Sequence, residues 1–159
     1  MIAVGRPAFE ADWGFKDYSA CSASDMNCFK LGEPARAMVG TNAGTFYGQV
    51  TNGPGSVGGG GAGCWVFMYQ DSSGWHYVNG QCAQGTGKIP GPQDRVFVSG
   101  CANVRDAAGL KSNVIGCLAN GTYVDVDSAP VYLDGHIWWH LANRGWMAHD
   151  YLVAPKGTP

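Results

Sequence analysis

The run Cys64-Trp65-Val66-Phe67-Met68-Tyr69, then Asp71-Ser72-Ser73-Gly74, then Trp75-His76-Tyr77-Val78 constrains this chain more than any other stretch. Aromatic and β-branched residues on both sides of a four-residue turn that ends in glycine predict an antiparallel hairpin. Alternation puts Trp65, Phe67 and Tyr69 on one face and Val66 and Met68 on the other, where core packing is their expected role. Folding that ladder about its turn brings Cys64 toward Cys82, which predicts a disulfide.

Composition extends the β reading to the whole chain. Of 159 residues, 25 are glycine and only 14% are charged, so turn formers abound and helix formers are scarce. The expected fold class is all-β, with length for one ordinary domain or two small ones. A net charge of -2 is spread without runs. No basic stripe exists to follow a phosphate backbone, so nucleic acid is not an expected partner. No apolar run approaches the roughly 18 residues that a membrane-spanning helix needs, so no membrane span is expected.

The six cysteines, Cys21, Cys28, Cys64, Cys82, Cys101 and Cys117, are even in number and contain no Cys-x-x-Cys. The sequence does not fix their connectivity, but proximity favours Cys21 with Cys28, Cys64 with Cys82, and Cys101 with Cys117. Reduced, buried cysteines are the alternative. Disulfides imply an extracellular or cell-envelope protein. Met1-Ile2-Ala3-Val4-Gly5 is too short for the apolar core of a signal peptide, so the chain reads as a mature or trimmed form whose leader or anchor is missing.

Along the chain, residues 1–34 leave two options open: Phe9 and Trp13, four apart after Pro7, fit a short helix, and the scattered aromatics fit an extended segment. Ala37-Met38-Val39 and Thr45 to Val50 read as strands around Thr41-Asn42-Ala43-Gly44. Residues 51–63 form a glycine-rich surface loop. Within it Gly58, Gly60 and Gly63 match Gly-x-Gly-x-x-Gly, yet the motif runs into a strand and not the helix whose N-terminus would receive a pyrophosphate. Ile89-Pro90-Gly91-Pro92-Gln93-Asp94 breaks both helix and ladder. The expected organisation is a glycine-rich β domain over residues 1–90, a Pro/Gly linker at 91–94, a second small β domain over 95–155 and a disordered tail at 156–159.

The second domain carries a further pattern. Ala102-Asn103-Val104-Arg105 is followed by Val114-Ile115-Gly116-Cys117-Leu118, Asn120-Gly121-Thr122-Tyr123-Val124, Trp138-Trp139-His140-Leu141, Gly145-Trp146-Met147 and Tyr151-Leu152. In order and spacing these resemble the bacterial SH3-like (SH3b) family pattern Leu-Asn-Val-Arg, Val-Ile-Gly-x-Leu, x-Gly-x-x-Val, Trp-x-x-Val, Gly-Trp-Val and Tyr-Leu. The match spans residues 101–153, about a third of the chain. It departs at Ala102, where the family has leucine, at Asp106 to Gly109, at the longer loop Val131 to Gly135, and in having Cys101 and Cys117. The resemblance implies an SH3-like barrel with Val104, Ile115, Leu118, Val124, Leu141, Trp146 and Leu152 facing inward. It also implies a binding role, for cell-wall peptidoglycan or peptides, over a catalytic one.

The face this leaves for a ligand is a shallow groove lined by Tyr132, Trp138, His136 and His140, flat rings with polar edges suited to sugar or peptide surfaces. Asn120-Gly121-Thr122 is a glycosylation sequon that reads more simply as a hairpin turn. His136 and His140 lie four apart on a strand, roughly 13 Å by strand rise, too far for one metal ion, and neither a metal nor another cofactor is expected. For a hydrolase no Gly-x-Ser-x-Gly elbow is present, a Cys–His pair needs an unpaired cysteine, and the carboxylates Asp125, Asp127, Asp134, Glu10 and Glu33 form no evident pair. The alternatives to a binding module are an extracellular structural protein that self-associates through aromatic faces, and a small hydrolase using His136, His140 or His149.

Overall fold

The computed structural model describes residues 1–26, 28–56, 61–83 and 95–152. The expected linker at 91–94, the tail at 156–159 and Gly58 and Gly60 of the glycine-rich loop lie outside the described residues. The fold is all-β, built on two five-stranded sheets, one of them curled into half a barrel. The chain divides into two compact units, Met1–Ala37 with Thr45–Ile89 and Met38–Gly44 with Pro90–Pro159. The short segment Met38–Gly44 thus groups with the carboxy-terminal residues.

In the first unit the open choice at the amino terminus resolves as a helix, α1 (Ile2–Asp12). Pro7 sits inside it and removes one backbone donor, a cost that tertiary packing has to offset. That packing comes from a stripe at three- to four-residue spacing in which Gly5 and Phe9 are buried and Trp13 half-buried. The strands are β1 (Phe29–Leu31), β2 (Arg36–Val39), whose last two residues group with the second unit, β3 (Ala43–Asn52), whose first two do likewise, β4 (Gly63–Asp71) and β5 (Gly74–Ala83). They run in the order β1-β3-β4-β5, with β2 also paired to β3. The hairpin expected from the sequence is β4–β5, joined by Asp71 to Gly74, with Gly74 at φ 123°.

The helix lies close to this sheet because two glycines let it. A Cβ at Gly5 would stand 2.8 Å from both Met68 Sδ and Phe46 Cε1. One at Gly80 would overlap the Phe9 ring. Phe9, Leu31, Phe46, Val50, Cys64, Val66 and Met68 form the core cluster, so the Val66–Met68 face of β4 is the one that meets the helix. Phe9 stacks on Trp13 at 5.5 Å, and Tyr77 Oη donates to Asp12 Oδ2 at 2.8 Å, tying the helix end to β5.

The second unit contains β6 (Cys101–Arg105), β7 (Val114–Ala119), β8 (Val131–Leu133), β9 (His136–Leu141) and β10 (Gly145–Ala148) in the order β7-β6-β10-β9-β8. Its buried side includes Ala102, Val104, Val124, Ile137, Trp139, Leu141, Met147 and Leu152. The inward set implied by the family register needs three corrections. Trp146 is half-buried and Met147 is the inward residue of β10, because Trp146 pairs with His140 while Met147 pairs with Trp139, and directly opposed residues share a face. Ile115 is 58% exposed: the ladder shifts there, with Val104 opposite Gly116 and Arg105 opposite Val114, so Ile115 is the extra residue of a bulge. Leu118 is only half-buried. The stretch 120–126 forms isolated bridges at Tyr123 and Val126.

Three disulfides join Cys21 to Cys28, Cys64 to Cys82 and Cys101 to Cys117, each pair being nearest neighbours in the sequence. No cysteine is free. No helix among the described residues is long and apolar enough to cross a membrane.

Candidate functional site

The outer face of the second sheet collects one row of functional side chains from three adjacent strands. The turn at Ala142 to Arg144, with Asn143 at φ 60°, sets Gly145 opposite Leu141 and therefore Trp146 opposite His140. On its other side Trp146 is opposite Arg105 of β6. Arg105, Trp146 and His140 thus lie in line across β6, β10 and β9, at roughly 5 Å per strand step. All three are half-buried. The His140 ring stands edge-on to Trp146 with centroids 5.3 Å apart.

Each polar member is held by a second group. His140 Nδ1 meets Asp127 Oδ1 at 2.5 Å, and the Asp127 amide donates to the His140 carbonyl, so loop and strand fix the pair together. Arg105 Nη1 donates to the Leu110 and Ser112 carbonyls at 3.0 and 2.7 Å, which closes the loop between β6 and β7. Its guanidinium also lies over the Trp138 ring, 6.0 Å from the centroid. Further along β9, His136 Nδ1 meets Asp150 Oδ2 at 2.8 Å.

Two of the expected groove residues land elsewhere. Trp138 shares the face of His136 and His140 but is only 2% exposed, with Nε1 donating to the Leu133 carbonyl at 2.9 Å. It supports the surface from below and offers no open ring to a ligand. Tyr132 lies half-buried on β8, where Asn42 exchanges two hydrogen bonds with its backbone, Nδ2 to the carbonyl at 2.6 Å and the amide to Oδ1 at 2.8 Å. The structure therefore brings His140 together with Trp146 and Arg105, two residues the sequence reading left out of the site. The signal for Trp146 was the parity of the β9–β10 turn; nothing local to Arg105 marked it.

Below the row, on the inner side, His149 is buried beside Trp139, whose Nε1 donates to His149 Nδ1 at 3.4 Å. Burial pushes its pKa down to about 4, only partly opposed by the charge of Asp150, so the imidazole is neutral near pH 7. Its place is in the core.

In the β4–β5 turn, Asp71 Oδ1 and Ser73 Oγ both approach His76 Nε2, each at 2.9 Å. A serine relay needs the carboxylate on one ring nitrogen and the hydroxyl on the other, so this cluster is a turn brace. Hydrogen bonds from Ser73 and then His76 hold the Asp71 carboxyl down at about 2. Among the described residues no three His, Cys, Asp or Glu side chains gather as a metal site. Comparison with family models, curated proteins and solved structures finds no match to this chain.

Proposed function

We propose that the second unit is an SH3b-like, non-catalytic binding module of an exported protein, and that its ligand is a cell-wall glycan or peptide strand. The observation that carries this reading is the row Arg105–Trp146–His140. A flat indole flanked by a cation and by an imidazole braced on a carboxylate provides one apolar platform and polar edges on both sides. A sugar ring or peptide plane stacks on the indole while its hydroxyls or amides meet the edges. Three disulfides support export, since such bonds persist in oxidising compartments. The test is sedimentation with purified peptidoglycan: the protein co-sediments, and Trp146→Ala remains in the supernatant. Equal retention of both proteins, or of neither, rejects the reading.

A second reading, self-association, is favoured by β7. It is the outermost strand next to β6, and Val114 and Ile115 are 51% and 58% exposed. Light scattering over a hundred-fold concentration range separates the two: a mass that rises with concentration, and falls back to the monomer in Ile115→Lys, supports self-association.

A further inference from the structure

The first unit contains a cleft of about 560 Å³ between α1, the segment 15–19 and β1. Pro7, Phe15 and Leu31 give it apolar walls, and Arg6, Lys16 and Lys30 bring three cations to it. Its two acids are already committed to the fold. Glu10 Oε1 accepts from the Leu31 amide at 2.8 Å, and Asp17 Oδ1 accepts from the Ser19 amide and hydroxyl. Lys16 pairs with Asp25 at 2.7 Å.

The remaining cations converge on one spot. Arg6 Nη1 and Nη2 each bond one oxygen of Glu33 at 3.0 Å, a fork-to-carboxylate geometry. The Arg6 bonds and then the Arg6 charge hold the Glu33 carboxyl below its usual range, with the smallest contribution from the charge of Lys30. Lys30 Nζ itself lies 4.4 Å over the Tyr18 ring, and no carboxylate among the described residues is within ion-pair distance of it. Yet the Glu33 side chain is 87% exposed while Arg6 is 28% exposed. Glu33 thus sits where water and salt screen the pair, which leaves its carboxylate open to exchange with another. Arg6 Nε is in addition buried with no hydrogen-bond partner.

We propose that this cleft binds a monocarboxylate carried on a short aliphatic group, as at the C-terminus of a peptide, and that Glu33 occupies the carboxylate position until the ligand displaces it. The displaced Glu33 stays tethered but swings into solvent, where its charge is screened, so a monocarboxylate adds one negative charge at Arg6 and Lys30. A phosphate dianion would add two beside Glu10 and Asp17, which disfavours it. The aliphatic group lies against Pro7, Phe15 and Leu31, and the carboxylate meets Arg6 and Lys30. This proposal is independent of the role given to the second sheet.

The test is an amide-resolved NMR titration of the full chain with three probes: acetyl-Ala-Ala-Leu as the free acid, the same peptide as the C-terminal amide, and hexanoate. Saturable shifts at Leu31 and Ser19 with the free acid and none with the amide are expected. Equal binding of hexanoate supports the cleft and assigns it to small acids; weaker binding assigns it to peptide ends. Glu33→Gln removes the internal competitor and binds about two- to five-fold tighter, while the surface change Lys30→Met binds about five-fold more weakly. Binding of the amide as strong as the acid, an affinity unchanged in Glu33→Gln, or no saturable shift with any probe overturns the proposal.

Discussion

Buried His149 makes the second unit acid-sensitive in a defined window. In the unfolded chain the imidazole titrates near 6.5, and in the fold burial lowers this to about 4. The unfolded state therefore binds more protons between those values. The stabilising contribution is complete above pH 6.5, falls as pH drops toward 4, and does not fall further below that. A difference of this size corresponds to about 3 kcal/mol, or roughly 12–24 °C in the melting temperature of a unit this small. The depressed carboxyls of Asp25 and Asp71, both at about 2, act in a separate window below their ordinary value of 3.8. Thermal melts at pH 7.5 and 4.5, with hydrogen exchange of the Trp139 indole N–H as the local reporter, measure the effect. His149→Gln keeps an acceptor for Trp139 Nε1 and cannot titrate, so its stability changes by less than about 1 kcal/mol over that range. If the wild type melts alike at both pH values, or the glutamine variant loses as much as the wild type, the assignment to His149 is refuted.

Three further outcomes follow from packing and connectivity. Asn42→Ala removes both hydrogen bonds to the Tyr132 backbone and costs about 1–3 kcal/mol, with faster exchange of the Tyr132 amide. Gly5→Ala places a methyl 2.8 Å from Met68 and Phe46 and costs about 1–3 kcal/mol by chemical denaturation, the first unit being the one affected. Replacing Cys101 and Cys117 together by serine releases a loop with a sequence separation of 16 and costs about 3 kcal/mol, read from denaturation of the oxidised proteins.

The β4–β5 hairpin was legible because its turn and its alternation bring Cys64 near Cys82; the one-residue shift between Phe67 and Met68 that sets Cys64 directly opposite Cys82 had no local signal. The all-β class followed from glycine and the scarcity of helix formers. Helix α1 was not decidable locally: Pro7 argues against an interior helix, and what outweighs it is the contact of Gly5 and Phe9 with strands more than thirty residues away. On the outer face of the second sheet the family register sets the wrong parity for β10. A one-residue difference in register exchanges Trp146 with Met147, so assigning Trp146 to the core hid the residue at the centre of the row. Trp138 illustrates the complementary error. Its position on the outer face was correct, but its cover, formed with Leu133 and Arg105, comes from neighbouring strands and loops that no local pattern reveals.

The central claim is that the row across β6, β10 and β9 binds envelope polymer. An NMR titration of the full chain with soluble muropeptides tests it most directly. The account predicts saturable shifts at the Trp146 indole, His140 and the Arg105 side chain, lost in Trp146→Ala while the spectrum stays dispersed. Saturable binding that leaves these three residues unmoved would contradict it.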